Sequence, residues 1–173
     1  ALRAPARRPH RAPRLSVEIH VRSLDPNAAD EVALVAARMR ETIVEVLGKA
    51  RGGSLYDAAF LESRVREHLD RDDAAVLLGL LGTTIVSHVI LRVEDEAGLF
   101  GTLYVAPDAR RLGVAGALVG AGEAWMRERR LSRARTYTHP ANAPLHALFG
   151  GRGYVLSPIS PDFVKLERPL GAS

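Results

Sequence analysis

The residues from Val105 to Val119 read VAPDARRLGVAGALV, and they place two adjacent arginines, Arg110 and Arg111, and two glycines, Gly113 and Gly116, where a β-type run gives way to a helical one. A helix N-terminus leaves backbone N–H groups without partners and carries partial positive charge, so it accepts an anion. Gly113, Ala115 and Gly116 keep side chains small where a phosphate must approach the backbone, while Arg110 and Arg111 add charge and can order the turn. The chemistry is therefore pyrophosphate binding, set against a plainer alternative in which this is a small-residue helix start with solvated arginines. The spacing Arg110-x-x-Gly113-x-Ala115 lacks the Gly-Lys-Ser/Thr ending of a P-loop and the three spaced glycines of a dinucleotide fold.

The elements that must position this turn are legible from periodicity. LSVEIHVR alternates, with Leu15, Val17, Ile19 and Val21 on one face, and predicts a half-buried strand. DPNAAD supplies capping residues before a helix carrying Val32, Val35, Met39, Ile43 and Val46 at helical spacing, ended by Gly48 or the Gly52-Gly53 pair. A second helix fits YDAAFLESRVREHLD, with Leu61, Val65 and Leu69 on one side. AAVLLGLL and TTIVSHVILRV are strands joined at Gly82, and EDEAG turns the chain into LFGTLYV. Beyond the opening stretch come a helix with Val114, Leu118, Ala121 and Trp125 inward, the strand RARTYTH, the short helix NAPLHALFGGRGY and the last strand DFVKLERPL. The predicted order is β-α-α-β-β-β-α-β-α-β, an α/β chain with a mixed sheet and helices on both faces.

Composition narrows the function. A chain of 173 residues with 47% hydrophobic and 25% charged residues suits one globular domain, expected over residues 15–173, and it holds no apolar run long enough for a bilayer. Having no cysteine excludes a disulfide framework, a thiolate metal site and a cysteine nucleophile. The formal charge of +4 is concentrated in an acid-free extension, residues 1–14, whose five arginines, subtracted from that total, leave the remainder at −1. The body is thus not a nucleic-acid binder by charge, and the extension reads as a flexible or partner-docked arm whose composition overlaps with transit peptides and polyanion-binding arms. A cytoplasmic location is the default expectation.

Taken together, LYVAPDARRLGVAGALV and, downstream, NAPLHALFGGRGY resemble the two signature blocks of the GNAT superfamily of acetyl-CoA-dependent N-acyltransferases. The resemblance implies a GNAT-like fold with splayed central strands, acetyl-CoA as co-substrate and no metal. It implies that the backbone of Arg111, Leu112, Gly113, Val114, Ala115 and Gly116 binds the pyrophosphate, with Arg110 at the Arg/Gln position of the pattern. It further implies that the pantetheine arm pairs with free backbone groups of Leu103 and Val105, in the manner of an added strand, and that an N–H near Tyr104 or Val105 polarises the thioester carbonyl. Asn142 either positions the cofactor or caps the last helix, and Phe149 falls on the cofactor slot.

Two positions depart from the family pattern. The tyrosine that often acts as the acid falls at Phe149, and the glutamate often found on the fourth strand falls near Gly101. Attack of a neutral amine on a thioester needs a proton acceptor, and the candidates are Glu94 and Glu96 in the hairpin turn, through water, and His139 just past the strand RARTYTH. The expected function is transfer of an acetyl group to a primary amine of a small molecule by direct transfer in a ternary complex, the cofactor block being similar to that of aminoglycoside-type acetyltransferases. The alternative is a non-catalytic CoA-binding or regulatory protein of the same fold. A homodimer is possible, and neither membrane nor nucleic acid is an expected partner.

Overall fold

The computed structural model describes residues 18–47 and 57–171. The basic extension, the start of the first strand at Leu15, the glycine stops at Gly48, Gly52 and Gly53, and Tyr56 at the start of the second helix lie outside the described residues. The chain forms β1 (Ile19–Ser23), α1 (Ala29–Leu47), α2 (Ala58–Leu69), β2 (Ala74–Leu81), β3 (Thr84–Glu94), β4 (Ala97–Val105), a 3-10 turn (Pro107–Ala109), α3 (Val114–Glu128), β5 (Arg133–Thr138), α4 (Ala143–Gly150), β6 (Val155–Ser160) and β7 (Phe163–Pro169). One strand exceeds the expectation. β6 contains Pro158 and is mostly exposed, so it shows neither alternation nor an apolar run. A proline is tolerated there because β6 lies at the sheet edge, with one side unpaired.

The seven strands run in the order β1-β2-β3-β4-β5-β7-β6, and β4 with β5 is the parallel pair. Helices α1 and α2 cover one face of the sheet. Their apolar stripes, Val32, Val35 and Ala36 from α1 with Leu61 and Val65 from α2, pack on Val76, Leu78 and Ile90. Helix α3 covers the other face, where Leu118, Val119 and Met126 meet Val89, Leu91 and Phe100, and α4 joins this layer through Phe149. Gly122 lets α3 approach the sheet, since a Cβ at that position would collide with the Phe100 ring. Of the residues expected inward on α3, Val114 and Leu118 are buried, while Ala121 and Trp125 are half-buried and Glu123 takes a buried place. Glu123 is held there by Tyr154 and Arg152, each at 3.0 Å, which joins α3 to the segment after α4.

Candidate active site

The two central strands separate because β4 carries an extra residue. β4 and β5 pair from Ala97↔Arg133 to Phe100↔Thr136 and no further. One residue later the β3–β4 register shifts, so that Ile90 stands opposite both Gly101 and Thr102. A bulge bends its strand and increases the local twist, which turns the rest of β4 away from β5 while β5 stays on β7 through Tyr137↔Lys165 and Thr138↔Val164. Thr136 closes the last rung by donating its hydroxyl to the Phe100 carbonyl at 3.0 Å. Gly101 suits the bulge, since a Cβ there would stand 3.2 Å from the Ile90 carbonyl oxygen.

Beyond the bulge β4 remains paired with β3 alone. Ala106 donates to Val86 at 2.8 Å, which sets the phase of the ladder. Tyr104 and His88 are therefore a hydrogen-bonded pair, and the N–H and C=O groups of Leu103 and Val105 point away from β3, into the opening. The backbone of Tyr104 is committed to β3, so of the two donors expected near the thioester only that of Val105 faces the slot.

The turn after β4 is built from two left-handed residues, Arg111 with φ 65° and Gly113 with φ 89°. Gly113 is the N-cap of α3 and supplies no side-chain acceptor, and the first turn of the helix holds no acid. Arg110 folds back so that its Nε donates to the Val105 carbonyl at 3.1 Å. Arg110, Arg111 and Leu112 are exposed, and a Cβ at Gly116 would meet nothing within 4 Å. A glycine inside a helix costs up to about 1 kcal/mol relative to alanine, and among the described residues no packing demands the one at Gly116, in the first turn of α3. The turn thus presents uncapped amides, positive charge and open space together.

On the opposite face, under α1, Tyr104 sits in a polar cluster. Its hydroxyl donates to Glu41 Oε2 at 3.0 Å, its ring stacks on His88 with centroids 5.7 Å apart, and the Arg38 guanidinium lies 5.2 Å from the ring centre. Arg38 donates to the Ile85 carbonyl at 2.7 Å, while its Nη1 and both ring nitrogens of His88 are buried without a hydrogen-bond partner among the described residues. Burial, reinforced by Arg38, pushes the His88 pKa down to about 3, so the ring is neutral at pH 7. Burial and the neighbouring Glu41 raise the Tyr104 phenol, despite Arg38 and Arg110.

The remaining sequence-derived candidates fall elsewhere. Glu94 and Glu96 flank the β3–β4 turn at the far end of β4, and nine strand residues at roughly 3.3 Å each place them about 30 Å along the strand from Val105. The structure does not bring them to the opening. His139 is exposed at the end of β5, and its Nδ1 accepts the Ala141 N–H at 3.1 Å. That bond occupies the Nδ1 lone pair, and in the neutral ring the proton then sits on Nε2, so no basic nitrogen is left for a substrate. Asn142 caps α4, accepting from the Leu145 N–H at 3.3 Å and donating to Thr138 at 2.9 Å. Phe149 is 0% exposed and lies edge-on to Phe100 and Tyr154, at 5.4 and 4.8 Å, so it sits in the core beneath the slot and does not line it. Sequence reasoning missed Arg38 and Glu41. Arg38 carried a signal, because it falls three residues after Val35 inside the apolar stripe of α1.

The acetyltransferase (GNAT) family matches residues 40–154, about two thirds of the chain. The chain belongs to that family. It is an acetyl-CoA-dependent N-acetyltransferase. No curated protein sequence matches it. Among solved structures, the fold is similar to the PaiA N-acetyltransferase of Thermoplasma acidophilum in complex with coenzyme A, at 16% identity and a TM-score of 0.63, with 88% of this chain and 99% of that chain covered. It is similar to an acetyltransferase of Salmonella typhimurium with its cofactor acetyl-CoA, at 12% identity and a TM-score of 0.68, covering 90% and 95%. It is also similar to a ribosomal-protein alanine N-acetyltransferase of Escherichia coli, at 15% identity and a TM-score of 0.64, covering 90% and 96%.

The residues of this GNAT enzyme fit acetyl-CoA on their own geometry. The α3 N-terminus has amides that no side chain caps, Gly116 leaves room above them, and the edge of β4 offers the outward backbone groups of Leu103 and the N–H of Val105, whose carbonyl accepts from Arg110. Among the described residues, no group of three or more histidine or acidic side chains is arranged to hold a metal ion, and no helix is long and apolar enough to cross a membrane.

Proposed function

We propose that the protein transfers the acetyl group of acetyl-CoA to a primary amine of a small molecule, by direct attack in a ternary complex. The pyrophosphate lies against the backbone of Arg111, Leu112, Gly113, Val114, Ala115 and Gly116, with Arg110 beside it, and the pantetheine arm runs along the unpaired edge at Leu103 and Val105. Acetyl-CoA supplies an activated thioester. The Val105 N–H is the backbone donor that faces its carbonyl oxygen. Because the α3 face is taken by the cofactor, the acceptor enters from the face under α1.

One observation carries the choice of a small acceptor. The Tyr104–Glu41 hydrogen bond joins β4 to α1 across that face, beside the stretch of β4 with unpaired backbone. A bridge at that point suits a compact amine better than an extended chain. The test is thiol release from acetyl-CoA with a panel of small primary amines, aminoglycosides included, and with peptides bearing a free N-terminus. Turnover on small amines and little on peptides supports the reading, and the reverse order overturns the small-molecule assignment.

A further inference from the structure

We propose that Tyr104 and Glu41 form the proton-accepting pair of this enzyme, Tyr104 taking the proton of the attacking amine and passing its own to Glu41. The proposal rests on the acetyl-transfer reading above and adds the residues that complete its chemistry. Neither position of the family pattern offers a proton acceptor here, since the strand glutamate is replaced near Gly101 and Phe149 is buried in the core. His139 has its Nδ1 lone pair occupied, and Glu94 and Glu96 stand at the other end of β4.

Tyr104 is the residue between Leu103 and Val105, the two whose backbone groups point into the opening, and its side chain lies on the face away from α3. An ionised carboxylate can only accept, so in the 3.0 Å contact the phenol hydrogen points at Glu41. The lone pairs of the phenol oxygen are then the ones left for another donor. This polarity makes Tyr104 an acceptor for an amine N–H, and it makes the same hydroxyl unsuited to protonating a leaving thiolate. The phenol stays protonated through the neutral range because its pKa is raised, so it acts as a relay to Glu41 and not as a tyrosinate. The charged and titratable groups around it are Arg38 and Glu41 from α1, His88 from β3 and Arg110 from the turn. Arg38 and His88 fix the ring from its sides, and His88 does so without charge at neutral pH.

The step balances. The amine nitrogen forms a bond to the acyl carbon and the carbon–sulfur bond breaks, with its electron pair leaving on sulfur. The nitrogen loses a proton to the Tyr104 oxygen as the Tyr104 proton moves to Glu41, and solvent returns a proton to the thiolate and removes one from Glu41.

The experiment measures kcat, both KM values and the pH profile of kcat/KM for wild type, Tyr104→Phe, Glu41→Gln and the double variant, with a small amine acceptor of known pKa. Removing an acid–base group typically costs 10²- to 10⁴-fold. Each single variant is expected to lose about 10²-fold in kcat with the KM for acetyl-CoA within about threefold, and the double variant to lose no more than either single one, because both act in one relay. The acidic limb of kcat/KM follows the pKa of the acceptor amine in wild type and variants alike, because the neutral amine is the nucleophile in each, so the variants lower the plateau and leave that limb in place. Glu41 is exposed on α1, so Glu41→Gln folds independently of any effect on Tyr104, and acetyl-CoA affinity by calorimetry confirms an intact site. Single variants that keep kcat within about threefold, or a double variant that loses the product of two large single effects, overturn the relay while leaving acetyl transfer standing. A wild type that binds acetyl-CoA and turns over no amine overturns both.

Discussion

Arg110 donates its Nε hydrogen to the carbonyl oxygen of Val105 at 3.1 Å, so the turn before α3 is tied to the unpaired edge of β4. One side chain thereby links the α3 N-terminus to the edge of β4, the two places where we propose that the pyrophosphate and the pantetheine arm bind. Arg110→Ala removes both this bond and a positive charge. At this exposed position screening keeps the effect moderate, and we expect the KM for acetyl-CoA to rise about 10-fold, roughly 1.4 kcal/mol. Apo stability should change little. Initial-rate kinetics and a thermal melt separate the two effects.

Gly113 and Gly116 should respond in opposite ways. Gly113 has φ 89°, so Gly113→Val strains the backbone whatever space it finds, and it should lower the stability of the apo protein by about 1–3 kcal/mol as well as weaken acetyl-CoA. Gly116 has an open Cβ direction within a helix, so Gly116→Leu should leave apo stability equal or up to about 1 kcal/mol higher while weakening acetyl-CoA at least 10-fold. Chemical denaturation of the apo protein and calorimetry with acetyl-CoA test the pair. Undiminished affinity in Gly116→Leu would remove the pyrophosphate from that position.

Phe149, where the resemblance to the family's signature places a tyrosine, is fully buried and lies edge-on to Phe100 and Tyr154. Phe149→Tyr buries a hydroxyl and gives it no route to the slot. It should destabilise the fold by about 1–3 kcal/mol and leave kcat no higher than wild type. Phe149→Ala should cost about 3–5 kcal/mol through the cavity it leaves. A rise in kcat for Phe149→Tyr would show that the ring reaches the leaving group after all.

His88 makes stability depend on pH. The unfolded chain binds its proton near 6.5, whereas the buried ring resists until about 3. Between those values the unfolded state holds more protons, so stability falls as pH falls, by about 1.4 kcal/mol per unit from this group. His88→Phe keeps a ring beside Tyr104, removes two buried nitrogens that lack partners, and should flatten that slope with no loss at pH 7 and above. Urea melts of both proteins from pH 7 to 4 measure it, and parallel slopes would count against a buried neutral ring.

Much of this protein was written in local patterns. The strands AAVLLGLL and LFGTLYV and the helices carrying Val32, Val35, Leu61 and Val65 follow from periodicity, because burying one face is a local demand on a strand or helix. Arg110 to Gly116 announced a helix start of small residues beside two arginines, because such residues act on their immediate surroundings, and the helix indeed begins there with no side-chain cap. β6 escaped this reading, since an edge strand with Pro158 buries too little to impose a period. What only the tertiary structure decided is how distant groups meet. The extra residue at Gly101–Thr102 opens the sheet and leaves Leu103 and Val105 without a strand partner on that side, and hydrogen-bond phase across a ladder is a property of two strands that no single strand encodes. Glu41 reaches Tyr104 across 63 positions, and Glu94, only ten residues from Tyr104 in sequence, ends at the opposite end of β4. Nearness along an extended strand is distance in space, whereas nearness across layers is made by packing α1 onto the sheet.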